Sequence, residues 1–433
     1  MGRQTDVMFG RFEELDAALD VESLVSDISR LIATPSVVGH EAAAQAVLAE
    51  IATDLGLEVS TYAEDLGGVR TLEGYPGEEV VRSRLINVSA TARGADPHGP
   101  RLCLSGHIDV VPPGERPWTT PPFQPRVEGG RIFGRGAADM KAGLVANLHA
   151  VAAVRRAIGA PAGDVVVHSV AAEEDGGLGA FALLQRDHDF AGCVIAEPTT
   201  NEVVCAHGGA LTWHGRITGR AAHASDRLAG VSALDRFLPI YRALQQLEHE
   251  LNRDVEYPLM RTHRLPYPLS VGRVSTGDWP STVPDELVFE GRVGVPIGAD
   301  PADVRHRLEQ VVREAADDGG PEPTIRWPGG QFAPAATDLD APLVTAIRDH
   351  WTDMTGTLMT LRAVSYGSDM RHYLRYGIPT VMCGPGDLGQ AHATDESVDV
   401  GAVLAYARVV ARLAATFGRA TGNRAGVDSV RST

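Results

Sequence analysis

The chain has 433 residues, too many for one ordinary hydrophobic core and enough for two domains of roughly 100–200 residues each. Acidic side chains outnumber basic ones by 56 to 39, and the resulting net charge of −17 repels phosphate backbones, which argues against a nucleic-acid partner. Hydrophobic residues make up 44% and charged residues 22%, and neither a run of roughly 18 apolar residues nor a basic-then-apolar leader over Met1–Asp20 is present; the expectation is a soluble, cytoplasmic protein without a membrane partner.

Apolar residues recur at helical spacing over Val21–Ile32 and Glu41–Leu55, with Thr34-Pro35-Ser36 as the loop between them. Leu102–Leu104 and Asp164–Val170 read as buried strands around an Ala-rich helix at Leu144–Ile158, a strand–helix–strand alternation that predicts a mainly parallel sheet covered by helices. After Glu197 the pattern changes. Leu211–Thr218, Leu269–Val274 and Glu286–Val295 read as strands, while Val231–Leu251 and Pro301–Ala316 read as amphipathic helices; together they make a separate α+β module, closed by the prolines at Pro321–Pro328 and Pro334. Alternation then resumes through Ala341–Thr355, Ile378–Cys383 and Gly401–Phe417, and Gly418–Thr433 reads as a frayed tail. The predicted organisation is a catalytic domain built from residues 1–209 and 331–433, interrupted by an inserted domain at 210–330. Cys103, Cys193, Cys205 and Cys383 stand far apart in apolar surroundings and are expected to be reduced core residues.

Five metal-ligand-type side chains fall in five separate short motifs. His107 lies in Ser105-Gly106-His107-Ile108-Asp109, at the carboxyl end of a strand, where α/β sheets bind ligands. Asp109 is placed to accept a proton from the His107 ring and fix its tautomer. Asp139, in Arg135-Gly136-Ala137-Ala138-Asp139-Met140-Lys141, is either a helix-capping carboxylate or one that bridges two ions. Glu173 and Glu174 end a hydrophobic strand side by side, so one can bind a cation while the other stays free to move a proton. Glu197 caps the strand Val194–Ala196, and His392 follows the flexible Gly384-Pro385-Gly386-Asp387 loop. Each motif alone is weak; what carries weight is that ligand-type residues keep recurring at strand ends. Imidazoles and carboxylates in this mixture suit zinc, and several carboxylates can hold two cations close together.

These strings resemble the acetylornithine deacetylase, succinyl-diaminopimelate desuccinylase and carboxypeptidase G family of di-zinc metallopeptidases, through Ser105–Pro112, Arg135–Lys141, Ala196–Thr199, Gly384–Asp387 and Ala391–Glu396, over about Val21 to Phe417. The resemblance implies an α/β, phosphorylase/hydrolase-like catalytic domain with a mixed, mainly parallel sheet, and an inserted α+β, ferredoxin-like domain that serves as lid and dimerisation surface of a homodimer. It also implies two zinc ions per subunit: Asp139 bridging, His107 and Glu197 on one, Glu174 and His392 on the other. Cobalt and manganese suit the same ligands. Glu173 would be the general acid/base and His223, in Gly219-Arg220-Ala221-Ala222-His223-Ala224, an oxyanion stabiliser in its own or the partner subunit.

The expected reaction is removal of an acyl group from a small N-acyl amine or N-acyl amino acid. A dipeptidase or carboxypeptidase, a formylaminopyrimidine deformylase-like enzyme, and an inactive metal-binding protein are the alternatives. Three departures from the family pattern stand out: Ala172 before the Glu pair, where Asp is common, Ser281-Thr282-Val283-Pro284 in place of Asn-x-x-Pro, and Gly294 where many members carry a carboxylate-binding arginine, with Arg292 two residues earlier.

Overall fold

A computed structural model describes residues 11–316 and 320–418. All but the first residue of the expected tail therefore lies outside the described residues. Asp20 caps the opening helix Val21–Ile32 by accepting from the Glu22 and Ser23 amides at 3.1 and 3.2 Å, and Leu24, Ile28, Leu31 and Ile32 turn one face inward.

The larger sheet has nine strands. Its path runs Glu58–Ala63, Ile86–Ala92, Val165–Val170, Leu102–His107, Gly192–Ile195, Thr380–Met382, Val203–His207, Ala335–Ala336, with Leu361–Val364 also paired to Val203–His207. Val165–Val170, Leu102–His107, Gly192–Ile195 and Thr380–Met382 are neighbours and mutually parallel, whereas the strands on either side pair antiparallel to them. The sheet is thus mixed, with its parallel strands gathered at the centre. Those strands are buried along their whole length, as expected where helices cover both faces, and they read as unbroken apolar runs rather than alternating ones.

The helix Ala142–Ile158 lies buried against this centre and is tied to the last helix, Val400–Thr416, by a bond from the Tyr406 hydroxyl to Asn147 Oδ1 at 2.8 Å. All four cysteines are buried and free, in line with the sequence. No helix of the described residues is long and apolar enough to cross a membrane.

Between His207 and Gly209 the chain leaves this sheet for a smaller antiparallel one, ordered Leu269–Thr276, Glu286–Val295, Gly209–Thr218, Thr324–Arg326, with Gln331–Phe332 also on Gly209–Thr218. With helices Ala233–Leu251 and Pro301–Ala315 this is the β-α-β-β-α-β ferredoxin-like arrangement. It has its own core around Trp213, Phe237, Ile240, Phe289 and Leu308, in which the Trp213 and Phe289 rings meet edge-on at 5.4 Å. A third cluster, in which Met260 and Tyr267 of the segment between helix and strand pack on Ala206 and Ala363 of the large sheet, fastens the smaller unit down.

Gly143 shows how closely the helix approaches the strand ends: a Cβ there would lie 2.6 Å from the Ala196 carbonyl oxygen and 2.8 Å from the Ala196 Cβ. In an open helix Gly→Ala stabilises by ~0.5–1 kcal/mol. Here Gly143→Ala is expected to destabilise by ~1–3 kcal/mol through overpacking. Thermal denaturation checks the sign, and a raised Tm would contradict the close approach.

Candidate metal centre

Because four parallel neighbours end on the same edge, roughly 4.8 Å apart, whatever follows each strand is delivered to one place. His107 is the last residue of its strand, Glu173 and Glu174 come just past Val165–Val170, and Glu197 comes just past Gly192–Ile195. His392 arrives on the long loop after Thr380–Met382, with a left-handed backbone at φ 60°.

Asp139 is presented by an irregular turn, after Gly136 in the left-handed region and before the helix at Ala142. A Cβ at Gly136 would meet Val110 at 2.7 Å, so only glycine passes this point. The turn is shaped by Glu396. Its carboxylate accepts from the amides of Gly136 (3.0 Å), Ala138 (2.8 Å) and Asp139 (3.0 Å), and it pairs with Arg135 Nη1 at 2.7 Å, all buried.

The five side chains do converge. Asp139 offers Oδ1 to His107 Nε2 at 3.0 Å and Oδ2 toward His392 Nε2 at 3.7 Å, while His392 Nε2 also meets Glu174 Oε1 at 3.0 Å. Ligand atoms of His107, Asp139 and Glu174 lie within 4.8 Å of one another, and so do those of His107, Glu173 and Glu197. They line a cavity of about 560 Å³.

The electrostatics follow from this crowding. Burial and the nearby Glu197 and Asp369 charges hold Glu173 well above the usual carboxylate range, and burial with Asp139 does the same to Glu197. Burial also raises Glu174. Burial pushes Asp139 upward too, but the hydrogen bond and charge of His107, with His392, bring it below its ordinary value. His107 is raised well above its own despite burial, chiefly by its bond to Asp139, and His392 is raised by its bond to Glu174. This is a cavity with more negative charge than its imidazoles can balance, and its hard oxygen and imidazole donors are those a divalent cation takes.

Two expectations need adjusting. Asp109 does hold this corner, though not through the bond anticipated: His107 Nδ1 donates to the Asp109 main-chain oxygen at 2.9 Å, and the carboxylate stands 3.9 Å away. That carboxylate instead accepts from the amides of Glu173 (3.2 Å) and Glu174 (3.0 Å), which sets the turn carrying both glutamates. His223 sits elsewhere, exposed on the smaller unit as the cap of a short turn, where its ring accepts from the Ser225 amide at 3.1 Å; its neighbour across the bridge is Thr282.

Arg292, noted in the sequence beside Gly294, lines the pocket from the smaller unit, donating to the Ser365 carbonyl at 2.9 Å, whereas Gly294 packs against Tyr267. Residues given no role in the sequence lie behind the pocket wall: Arg371 donates to the carbonyls of Ser368 and Gly176 and lies 4.0 Å from the centre of the ring of Phe332, a lining residue. Asp369 is buried beside it. Gly367-Ser368-Asp369 follows the strand Leu361–Val364, so the strand-end criterion that found Glu197 applies here too.

Residues 103–416 match the family described as Peptidase family M20/M25/M40. A probable succinyl-diaminopimelate desuccinylase of Staphylococcus epidermidis is 26% identical over 380 residues, covering 82% of this chain and 91% of that protein. An N-formyl-4-amino-5-aminomethyl-2-methylpyrimidine deformylase of Halalkalibacterium halodurans is 27% identical, covering 92% and 95%. Among solved structures, a tripeptidase of Staphylococcus aureus superposes with a TM-score of 0.72 at 22% identity, over 93% of this chain and 99% of that one.

Glu396→Ala removes the partner of buried Arg135 and three amide bonds at once. We expect a loss of ~3–5 kcal/mol in urea denaturation. A loss under ~1 kcal/mol would contradict the role given to Glu396.

Proposed function

Since the chain belongs to Peptidase family M20/M25/M40, whose members named above act on amide bonds, we propose that it removes the acyl group from a small N-acyl amino acid or N-acyl amine. The observation that carries this reading is the Asp139 carboxylate with one oxygen toward each imidazole. In this assignment His107 and Glu197 would hold one cation and Glu174 and His392 the other, with Asp139 shared between them. Two bound zinc ions, or cobalt or manganese in their place, would supply the positive charge that acidifies a water and polarises the amide carbonyl.

The chain's own groups do the rest. Glu173 is buried and its carboxylate holds a proton more readily than an ordinary glutamate, which suits a group that takes a proton at its oxygen and returns it to the departing amine nitrogen. Asp109 keeps it aimed through the main chain. Arg292 faces the cavity with a guanidinium that burial disfavours, so a substrate carboxylate there would be welcome, and this favours N-acyl amino acids. The same clamp suits the carboxyl end of a short peptide, which keeps an exopeptidase as second reading.

We assign residues 1–209 and 331–433 to the catalytic unit and 210–330 to a lid. The lid would also join a cytoplasmic homodimer, in which His223 reaches the partner subunit's site.

The test is a panel of N-acetyl, N-succinyl, N-formyl and dipeptide amides assayed for amine release, alongside metal analysis. About two divalent ions per subunit and chelator-sensitive hydrolysis are expected; full activity without metal would overturn the reading. Glu173→Ala is expected to keep the metal and lose turnover by ~10²–10⁴-fold, and undiminished hydrolysis would remove Glu173 from its role.

A further inference from the structure

One further side chain of the cavity bears on the chemistry: Tyr366, just past the strand Leu361–Val364. Its backbone is held on both sides. The Gly208 amide donates to the Val364 carbonyl at 2.8 Å, Arg292 Nη2 to the Ser365 carbonyl at 2.9 Å, and Arg371 Nη1 to the Ser368 carbonyl at 2.7 Å. The segment is thus tied to the larger sheet, to the smaller unit and to the arginine behind the pocket wall.

The half-buried side chain lines two spaces at once: the cavity of the converging ligands, and a smaller one formed with Pro198, Thr199, Val364 and Leu388. Pro198 directly follows Glu197, so Tyr366 lies beside the strand end that carries that ligand. The charges felt by the phenol agree with this place. After burial, Glu197 does most to raise its proton affinity, followed by Asp139 and Glu173.

The hydroxyl therefore keeps its proton. The hydroxyls of buried Tyr373 and Tyr406 end on Ser105 and Asn147 at 2.9 and 2.8 Å. That of Tyr366 makes no hydrogen bond among the described residues, although the charges of three carboxylates reach it. A donor set at this distance leaves room for an atom of a bound substrate between itself and the carboxylates.

Amide cleavage needs a donor there. When the water oxygen adds to the scissile carbon, the carbonyl π pair moves onto its oxygen, and negative charge grows on that atom in a cavity already crowded with carboxylates. Of the other donors lining the cavity, His107 and His392 are assigned to cations and Arg292 to a carboxylate, while Thr212 stands opposite Arg292 on the smaller unit. His223 is exposed elsewhere on that unit.

We propose that Tyr366 is a catalytic residue whose hydroxyl donates a hydrogen bond to the oxyanion formed from the amide carbonyl. The phenol keeps its proton throughout. Glu173 carries the proton taken from water to the departing nitrogen, the C–N bond breaks, and the carbonyl re-forms. The proposal rests on the amidohydrolase reading above and adds to it an oxyanion donor from the same subunit.

The test compares wild type with Tyr366→Phe, which keeps the ring and deletes the hydroxyl, both loaded with zinc. Kinetics are taken on the member of the amide panel above that the wild type cleaves fastest. In the variant kcat is expected to fall ~10²–10³-fold while KM stays within about threefold. The phosphonamidate of the same substrate, with tetrahedral phosphorus in place of the scissile carbon, should bind at least about tenfold more weakly in titration calorimetry, and the product amine within about twofold of wild type. Zinc content and Tm should not change.

A kcat within about threefold of wild type would overturn the proposal, as would equal weakening of the phosphonamidate and the product amine. Loss of zinc or a lowered Tm accompanying the lost activity would make Tyr366 a packing residue and overturn it too. In each of these cases the wild type still cleaves its amide and the proposed activity stands. If the wild type cleaves no member of the panel, the amidohydrolase reading fails and the Tyr366 assignment falls with it.

Discussion

Everything in this molecule turns on the repulsion between carboxylates that two strand ends, one on each side of Leu102–His107, and the turn before the helix at Ala142 bring to one point. With strands spaced roughly 4.8 Å apart and that turn packed beside them, Asp139, Glu173, Glu174 and Glu197 have no room to avoid one another. Burial removes the water that would otherwise screen them. Such a cluster persists in a folded chain when positive charge is supplied and the surrounding backbone is held firmly enough that the side chains do not swing apart.

The backbone is held by carboxylates of a second kind, which accept amides rather than face the cavity. Glu396 binds three amides around Asp139, and Asp109 binds those of Glu173 and Glu174. Asp175 does the same for Val80 while pairing with Arg82. Ala172, at φ 65°, turns the chain between the strand and the glutamate pair, a conformation that asparagine and aspartate adopt more readily than alanine. The departure noted at this position therefore replaces a side chain suited to the turn by one that is strained in it, with the packed surroundings enforcing the geometry.

The parts legible in the sequence were those with a local signature. Buried parallel strands announce themselves as apolar runs, and a ligand at the end of such a run needs no knowledge of the fold to be noticed; hence His107, Glu173, Glu174 and Glu197. His392 was found through its motif, since a loop histidine carries no such signature. What stayed hidden depends on contacts between distant segments. Glu396 closes the Ala391–Glu396 motif without a role of its own in the sequence, and only the fold shows Gly136, Ala138 and Asp139 turning their amides toward it. The sequence put Gly294 where a carboxylate-binding arginine is common, with Arg292 two residues earlier, and residues two apart on a strand share a face. In register Arg292 stands opposite Thr212 and Gly294 opposite Ala210; Arg292, Thr212 and Ala210 line the cavity, but Tyr267 closes over Gly294. Nothing near Gly294 in the sequence foretells that the segment 252–268 folds back to fill that space.

The claim on which the account stands is that Asp139 lies between two cations. Anomalous diffraction from crystals of the metal-loaded protein, collected at the absorption edge of the bound ion, tests it most directly. Two peaks are predicted, one on each side of the Asp139 carboxylate, the first between His107 and Glu197 and the second between Glu174 and His392. A single peak, or peaks away from Asp139, would contradict it.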